Sequence, residues 1–185
     1  LLGTDYLDLY LIHWPAAQGE TTTWQALNSG TWRALEDLYL QGRVRAIGLS
    51  NFLPHHMVPL LARARIVPMV NSIEFHPGYL QRPAVKFCRE HGISVIGWSP
   101  LGRGALLNDP TLRRIAAAHG RTVPQVCLRW SLEHGVVPVV KSLSPAHLKE
   151  NADIFGFTLP IEDMRAIDQI PLSGFSGLDP DHVSF

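Results

Sequence analysis

Short apolar runs alternate with helix-like stretches along the whole sequence, and this alternation is the strongest constraint on the fold. The runs are YLDLYLIH, VRAIGLS, VPMVNSIE, ISVIGWS and VVPVVKS. Each is rich in Val, Ile and Leu, as strands buried on both faces of a parallel sheet are. The first, ending in LDLYLIHWP, reads as a buried strand stopped by Pro15. Between the runs lie amphipathic segments. TWQALNSGTWRALEDLYLQG places Trp24, Leu27, Trp32, Leu35, Leu38 and Tyr39 largely on one face and stops at Gly42. HMVPLLARARI is a weaker helix with a proline inside, and RPAVKFCREHG tolerates Pro83 near its start. DPTLRRIAAAHG offers Asp109 as N-cap and Pro110 at the first helical position. TVPQVCLRWSLEHG follows, then SPAHLKENADIFG, capped by Ser144 and opened by Pro145, and PIEDMRAIDQI before a glycine-rich tail.

Parallel neighbours need crossovers, so five strands each followed by helix predict an α/β fold with a parallel sheet. Two architectures are compatible, a doubly wound sheet and a (β/α)8 TIM barrel. The strand ends favour the barrel. They carry His13 and Trp14, Ser50 and Asn51, Glu74 with His76, Trp98 and Ser99, and Lys141 and Ser142. In a barrel all such ends face one mouth, whereas in a doubly wound sheet only those near the switch point share a site. No GxGxxG turn marks a dinucleotide-binding sheet. Eight βα units take about 250 residues. This chain has 185 and five units, so the expected organisation is a single barrel domain of which residues 1–185 are the C-terminal five βα units, strands 4–8, with the N-terminal units missing.

Composition narrows the partners. Sixteen basic and sixteen acidic residues balance to a formal net charge of zero, which gives no electrostatic reason to expect nucleic acid or a membrane surface. No run approaches the ~18 apolar residues of a membrane span, and LLGTDY carries no basic leader or cleavage signal. Cys88 and Cys127 stand far apart in helix-like sequence and read as buried thiols. A cytoplasmic setting is expected.

The segments DYLDLYLIHWP, IGLSNF, NSIEFHP, WSPLGRG and VVKSLSPAHLKEN resemble, in order, successive signatures of the aldo-keto reductases. PLGRGALLNDP and SGLDPDHVSF are similar to the small bacterial members, of the diketogluconate and methylglyoxal reductase kind. The resemblance implies a (β/α)8 barrel that reduces small-molecule aldehydes and ketones with NADPH and without metal. It makes His13 the catalytic histidine. Carbonyl reduction builds negative charge on oxygen, and a donor aimed there meets that need. Position alone would read His13 as a barrel-mouth residue satisfying backbone groups. Trp14 would wall the substrate pocket. Ser50 and Asn51 read locally as helix caps; the resemblance makes them holders of the nicotinamide carboxamide. Ser72 stands where the family commonly has glutamine and is a further cofactor residue. Trp98 resembles the aromatic residue stacked under the nicotinamide ring, a role suited to a flat indole. Ser99, Leu101 and Gly102 follow, with loop amides able to approach a pyrophosphate. Glu74 and His76 read as polar scaffolding.

KSLSPAHLKEN opens a helix, and exposed helix N–H groups and the macrodipole favour an anion. On spacing alone it is an ordinary capped surface helix. The resemblance places the 2′-phosphate of NADP at Lys141, Ser142 and Ser144, and the adenine at Glu150 and Asn151. The family's usual arginine is His147 here, which keeps NAD possible, because imidazole lacks the guanidinium fork and is mostly neutral at pH 7. The family's catalytic aspartate, tyrosine and lysine are implied to lie upstream of the histidine strand. Two other readings stay open: a non-catalytic nicotinamide-binding relative or interaction module, and a metal-dependent barrel hydrolase, whose His-x-His strand end the sequence lacks.

Overall fold

The structure, a computed structural model, describes residues 3–15 and 24–182. Among the described residues five strands and seven helices follow in the order β1 (Tyr10–Ile12), α1 (Trp24–Leu40), β2 (Ile47–Ser50), α2 (Pro54–Leu61), β3 (Val70–Glu74), α3 (Arg82–Glu90), β4 (Ser94–Trp98), α4 (Pro110–Ala118), α5 (Val123–Glu133), β5 (Val136–Val139), α6 (Pro145–Ala152) and α7 (Ile161–Asp168), with a 3-10 stretch at Gly102–Asn108. The strand order is β1-β2-β3-β4-β5, each beside its sequence neighbour. The paired register is parallel, with Ile12 opposite Leu49 and Ser50 opposite Ser72. The chain clusters into two compact units. One is Leu1–Ile73, Arg82–Val95 and Leu178–Phe185; the other is Glu74–Gln81 and Ile96–Gly177.

In the first unit, β2 is buried at every residue. Its Gly48 is required by close approach, since an added Cβ would stand 2.6 Å from the Val70 carbonyl oxygen. Strand β1 departs from expectation. It is three residues long and exposed to half-buried, with Leu9 and Tyr10 on the surface. Among the described residues its only strand neighbour is β2, so apolar character alone did not secure burial. The buried face of α1 also differs from the expected apolar stripe. Trp32 and Leu35 are inside, but Leu27 is exposed, and Asn28, Ser29 and Glu36 are buried. Glu36 explains part of this. Its carboxylate accepts the backbone N–H groups of Arg65 (2.7 Å) and Ile66 (2.8 Å) and the Arg65 Nε–H (3.0 Å). Burial pushes its carboxyl up, but these donors outweigh burial and hold it below its ordinary value. Helix α2 ends at Leu61, so the ARARI half of the expected helix is loop, and Arg65 is free to reach Glu36.

In the second unit, Thr122 and Gln125 form a capping box at the start of α5. Asp109 caps α4 through the Leu112 N–H, with Pro110 at the first position, as expected. Phe75 stacks on Trp130 at 4.9 Å between centroids, and the Trp130 indole N–H donates to Asp168 at 2.9 Å. Cys88 and Cys127 are free and buried, each in its own unit. Burial pushes both thiols up. Strand β5 is covered only in part, with Val137 and Val139 exposed.

The first unit also brings Asp181 to helix α2. His55 Nε2 lies 2.7 Å and His56 Nε2 2.9 Å from Asp181 Oδ1. The trio has the makings of a metal site, but His56 Nδ1 accepts the Leu53 N–H at 3.1 Å. A neutral ring that accepts at Nδ1 carries its proton on Nε2 and has no lone pair there for a metal. Burial, aided by His55, pulls the His56 pKa from 6.5 down to about 4 against the opposing pull of Asp181. Between those values the unfolded chain binds a proton the folded one does not, so stability falls as pH falls. Urea midpoints measured from pH 7 to pH 4 should therefore drop, and His56→Gln, which keeps an acceptor for Leu53 but does not titrate, should flatten that slope. An unchanged slope would assign the acid sensitivity elsewhere.

Candidate functional site

The C-terminal ends of β1, β2 and β3 bring together four of the residues singled out in the sequence. Parallel pairing puts Ser50 opposite Ser72, and Ile12, the residue before His13, opposite Leu49. The Ser50 hydroxyl donates to the Ser72 carbonyl oxygen at 3.0 Å. The Asn51 amide then donates twice, to the His13 carbonyl oxygen at 2.9 Å and to Ser50 Oγ at 3.1 Å. Asn51 achieves this in the left-handed region, at φ 64°, which asparagine tolerates better than most residues. Ser50 and Asn51 are buried and Ser72 is half-buried. The His13 side chain is exposed and meets the half-buried Trp14 edge to face, with centroids 6.0 Å apart. The local reading of Ser50 and Asn51 as helix caps does not describe them, because the N-cap of α2 is Leu53.

A residue outside the expected set fixes this corner. Asn71 is fully buried on β3. Its side chain accepts the Phe52 N–H at 3.4 Å and donates to the Phe52 carbonyl oxygen at 2.8 Å. It thereby holds the backbone directly after Asn51. The signal in the sequence was an asparagine inside a strand, where that residue is depleted.

The second unit holds the remaining candidates. Trp98 closes β4 and is half-buried, and its carbonyl oxygen accepts the Phe75 N–H at 3.2 Å. Ser99 follows at φ 51°. The chain turns tightly from there. Ser99 O accepts the Gly102 N–H at 2.9 Å and Leu101 O the Gly104 N–H at 2.9 Å, with Arg103 also at positive φ. Non-glycine residues held in that region each cost about 1–3 kcal/mol and gather where the surroundings dictate a loop's shape.

Farther along, Ser142 Oγ accepts the Ser144 N–H at 3.1 Å, and Ser144 Oγ accepts the His147 N–H at 3.4 Å. Ser144 is the N-cap and Pro145 the first helical residue, as the sequence indicates. Helix α6 buries none of its residues, and Lys141 and His147 are both exposed. Glu150 does more than expected of it. Its carboxylate accepts the Thr122 hydroxyl at 2.6 Å, while its carbonyl accepts Gln125 Nε2 at 3.3 Å. Gln125 also donates to the Asp153 carbonyl oxygen at 2.9 Å, so one buried amide ties α6 to the start of α5. Asn151 stands half-buried on α6 beside it.

A sequence model of the Aldo/keto reductase family matches residues 1–171. Glyoxal reductase of Bacillus subtilis (strain 168) is 47% identical over 184 residues, which cover all of this chain and 64% of that protein. An uncharacterised oxidoreductase of the same strain, YtbE, is 44% identical over 184 residues, covering all of this chain and 63% of that protein. A solved structure of a Gox0644 variant in complex with NADPH matches with a TM-score of 0.89 and 42% identity, over 98% of this chain and 65% of that one. The chain therefore spans just under two thirds of the length of these relatives.

Asn51 combines a strained backbone with two side-chain bonds, and two substitutions separate the contributions. Asn51→Gly keeps the conformation and removes the bonds to the His13 carbonyl and Ser50 Oγ, which should cost about 0.5–1.5 kcal/mol for each. Asn51→Ala adds the left-handed penalty of ~1–2 kcal/mol. Denaturant titration should rank the wild type above Asn51→Gly, and Asn51→Gly above Asn51→Ala. Equal stability of the two variants would show that the left-handed geometry is not imposed.

Proposed function

The chain belongs to the aldo/keto reductase family, with the parallel βα units of its (β/α)8 barrel, and we propose that the protein it represents uses a nicotinamide cofactor to reduce aldehydes and ketones to alcohols. The observation that carries this reading is the cluster at the ends of β1 to β3. There His13, Ser50, Asn51 and Ser72 stand together, with the backbone locked by Asn51 and Asn71. The relative complexed with NADPH supports NADP as the cofactor.

The residues fit such a group. Ser50, Asn51 and Ser72 offer amide and hydroxyl chemistry to a carboxamide. Among the described residues the Ser72 hydroxyl makes no hydrogen bond, which suits a group that meets a ligand. Trp98 offers an aromatic face, and the Ser99, Leu101 and Gly102 turn offers backbone amides to a pyrophosphate. The exposed Lys141 and His147 and the half-buried Ser142 and Ser144 surround the capped start of α6, where N–H groups and the helix dipole favour a phosphate, and Glu150 and Asn151 lie farther along that helix for the adenine. Bound NADPH would supply the hydride. His13 donates a hydrogen bond to the carbonyl oxygen as negative charge develops on it, and the bulk of Trp14 keeps water from that oxygen. The family's aspartate, tyrosine and lysine would come from the barrel units preceding β1, where the tyrosine delivers the proton. The whole forms one barrel domain, acting in the cytoplasm on small-molecule carbonyls.

Similarity to glyoxal reductase makes small α-dicarbonyls the first substrates to try. The full-length protein should oxidise NADPH when methylglyoxal is added, and His13→Ala should lower kcat/KM by about 10²–10³-fold, the usual effect of removing one transition-state donor. NADPH affinity, followed by fluorescence quenching, should change little. A protein that binds NADPH but turns over no carbonyl would be a non-catalytic relative, and a large loss of NADPH affinity in His13→Ala would misplace that residue.

Cofactor preference gives a second test. His147→Arg should add a charge-assisted contact to the 2′-phosphate, roughly 1.5–3 kcal/mol when aligned, or about tenfold or more in NADPH affinity. NADH should gain almost nothing, and Lys141→Ala should narrow the gap between the two cofactors. Equal tightening of both by His147→Arg would place the phosphate elsewhere.

A further inference from the structure

Glu74 is a buried carboxylate that the reaction does not use. It is 2% exposed at the end of β3, and several polar groups meet it there. Oε1 accepts the Ser176 N–H at 2.9 Å and Oε2 the Ser176 hydroxyl at 2.7 Å. His76, fully buried, places Nε2 3.3 Å from Oε1 and Nδ1 2.9 Å from the Pro77 carbonyl oxygen. Gln81 donates to the Glu74 carbonyl oxygen at 2.7 Å. A buried carboxylate carries a large desolvation penalty unless donors surround it. Here two of those donors come from a single residue, 102 positions away in the chain.

Ser176 belongs to the glycine-rich tail, and the tail is laid down backbone on backbone. A Cβ on Gly78 would meet the Pro171 carbonyl oxygen at 2.9 Å and the Ser173 nitrogen at 3.1 Å. A Cβ on Gly174 would meet the Gly102 Cα at 2.8 Å and its carbonyl oxygen at 3.1 Å. Phe175, between Gly174 and Ser176, packs on Tyr79 with centroids 4.7 Å apart. All of these residues lie within the second unit. Gly102 sits in the turn that holds Ser99, Arg103 and Gly104 at positive φ. Such a turn keeps its shape only while its surroundings enforce it, and Gly174 is one of those surroundings.

We propose that residues 171–177 form a strap across the 99–104 turn, and that Glu74, through Ser176, is the positioning residue that clasps it and sets how fast the nicotinamide nucleotide leaves. This rests on the reading of that turn as part of the cofactor site. Glu74 does not touch the reacting atoms. It acts through Ser176 and Gly174 on Gly102, so loosening the clasp lets the turn relax and weakens retention of the nucleotide without altering hydride transfer once the nucleotide is seated.

The test uses full-length protein and NADPH as the probe. Stopped-flow fluorescence gives the NADPH release rate, and a single turnover of methylglyoxal at saturating NADPH gives the chemical rate. Ser176→Ala and Glu74→Gln should each speed release, by about tenfold for loss of a hydrogen bond to a charged group, and leave the single-turnover rate within about twofold. Ser176→Thr, which keeps the hydroxyl, should restore slow release. Asp168→Asn, which disturbs the Trp130 and His134 contacts of the same unit, should lower Tm without speeding release. If Glu74→Gln fails to fold, Ser176→Ala carries the test alone. Unchanged release in Ser176→Ala, or faster release in Asp168→Asn to the same degree, overturns the strap. A parent protein that binds no NADPH overturns the cofactor reading as well, and so the two failures are told apart.

Discussion

Parallel register is the constraint on which the site depends. Because β1, β2 and β3 run the same way, with Ile12 opposite Leu49 and Ser50 opposite Ser72, their polar C-terminal residues finish at one level. An antiparallel neighbour would have sent its polar end to the opposite edge. The register alone leaves the strand ends free to fray. The Asn51 amide prevents this by joining the His13 carbonyl to Ser50 across two strands, and the buried Asn71 fixes the Phe52 backbone that follows. Hydrogen bonds buried like these add modest net stability, but each costs far more to leave half-made. The corner therefore has one low-energy arrangement.

The same logic recurs in the second unit with different chemistry. Gln125 ties α6 to α5, Glu150 is held by Thr122, and Glu74 gathers Ser176. Each is a buried or half-buried polar group serving backbone or hydroxyl partners distant in sequence. His147 on α6 and Lys141, which precedes that helix, are both exposed, and they are the residues that the proposed function gives to a ligand phosphate. Rigidity beneath and exposed charge above is the arrangement that preorganised binding needs.

Much of this was legible in the sequence. Apolar runs separated by helices gave the parallel order, because crossovers are compulsory for parallel strands. Asp109, Ser144 and the prolines after them marked helix starts correctly. What escaped were the terms that local pattern does not encode. Strand β1 reads as buried because its residues are apolar, but burial depends on what covers them. Glu36, Asn28 and Asn71 are polar and buried, and the apolar pattern does not single them out; the partners of Asn71 and Glu36 lie about 19 to 30 residues away. The tail looked like a loop of glycines, and only the contact of Gly174 with Gly102 gives those glycines a purpose.

The central claim is that the ends of β1 to β3 hold the reacting nicotinamide and carbonyl. The most direct measurement is a crystal structure of the full-length protein with NADP and a substrate analogue. The account requires the nicotinamide carboxamide within hydrogen-bond distance of Ser50, Asn51 or Ser72, and the analogue's oxygen beside the His13 ring. A nicotinamide seated away from these strand ends, or a carbonyl oxygen out of reach of His13, would contradict it.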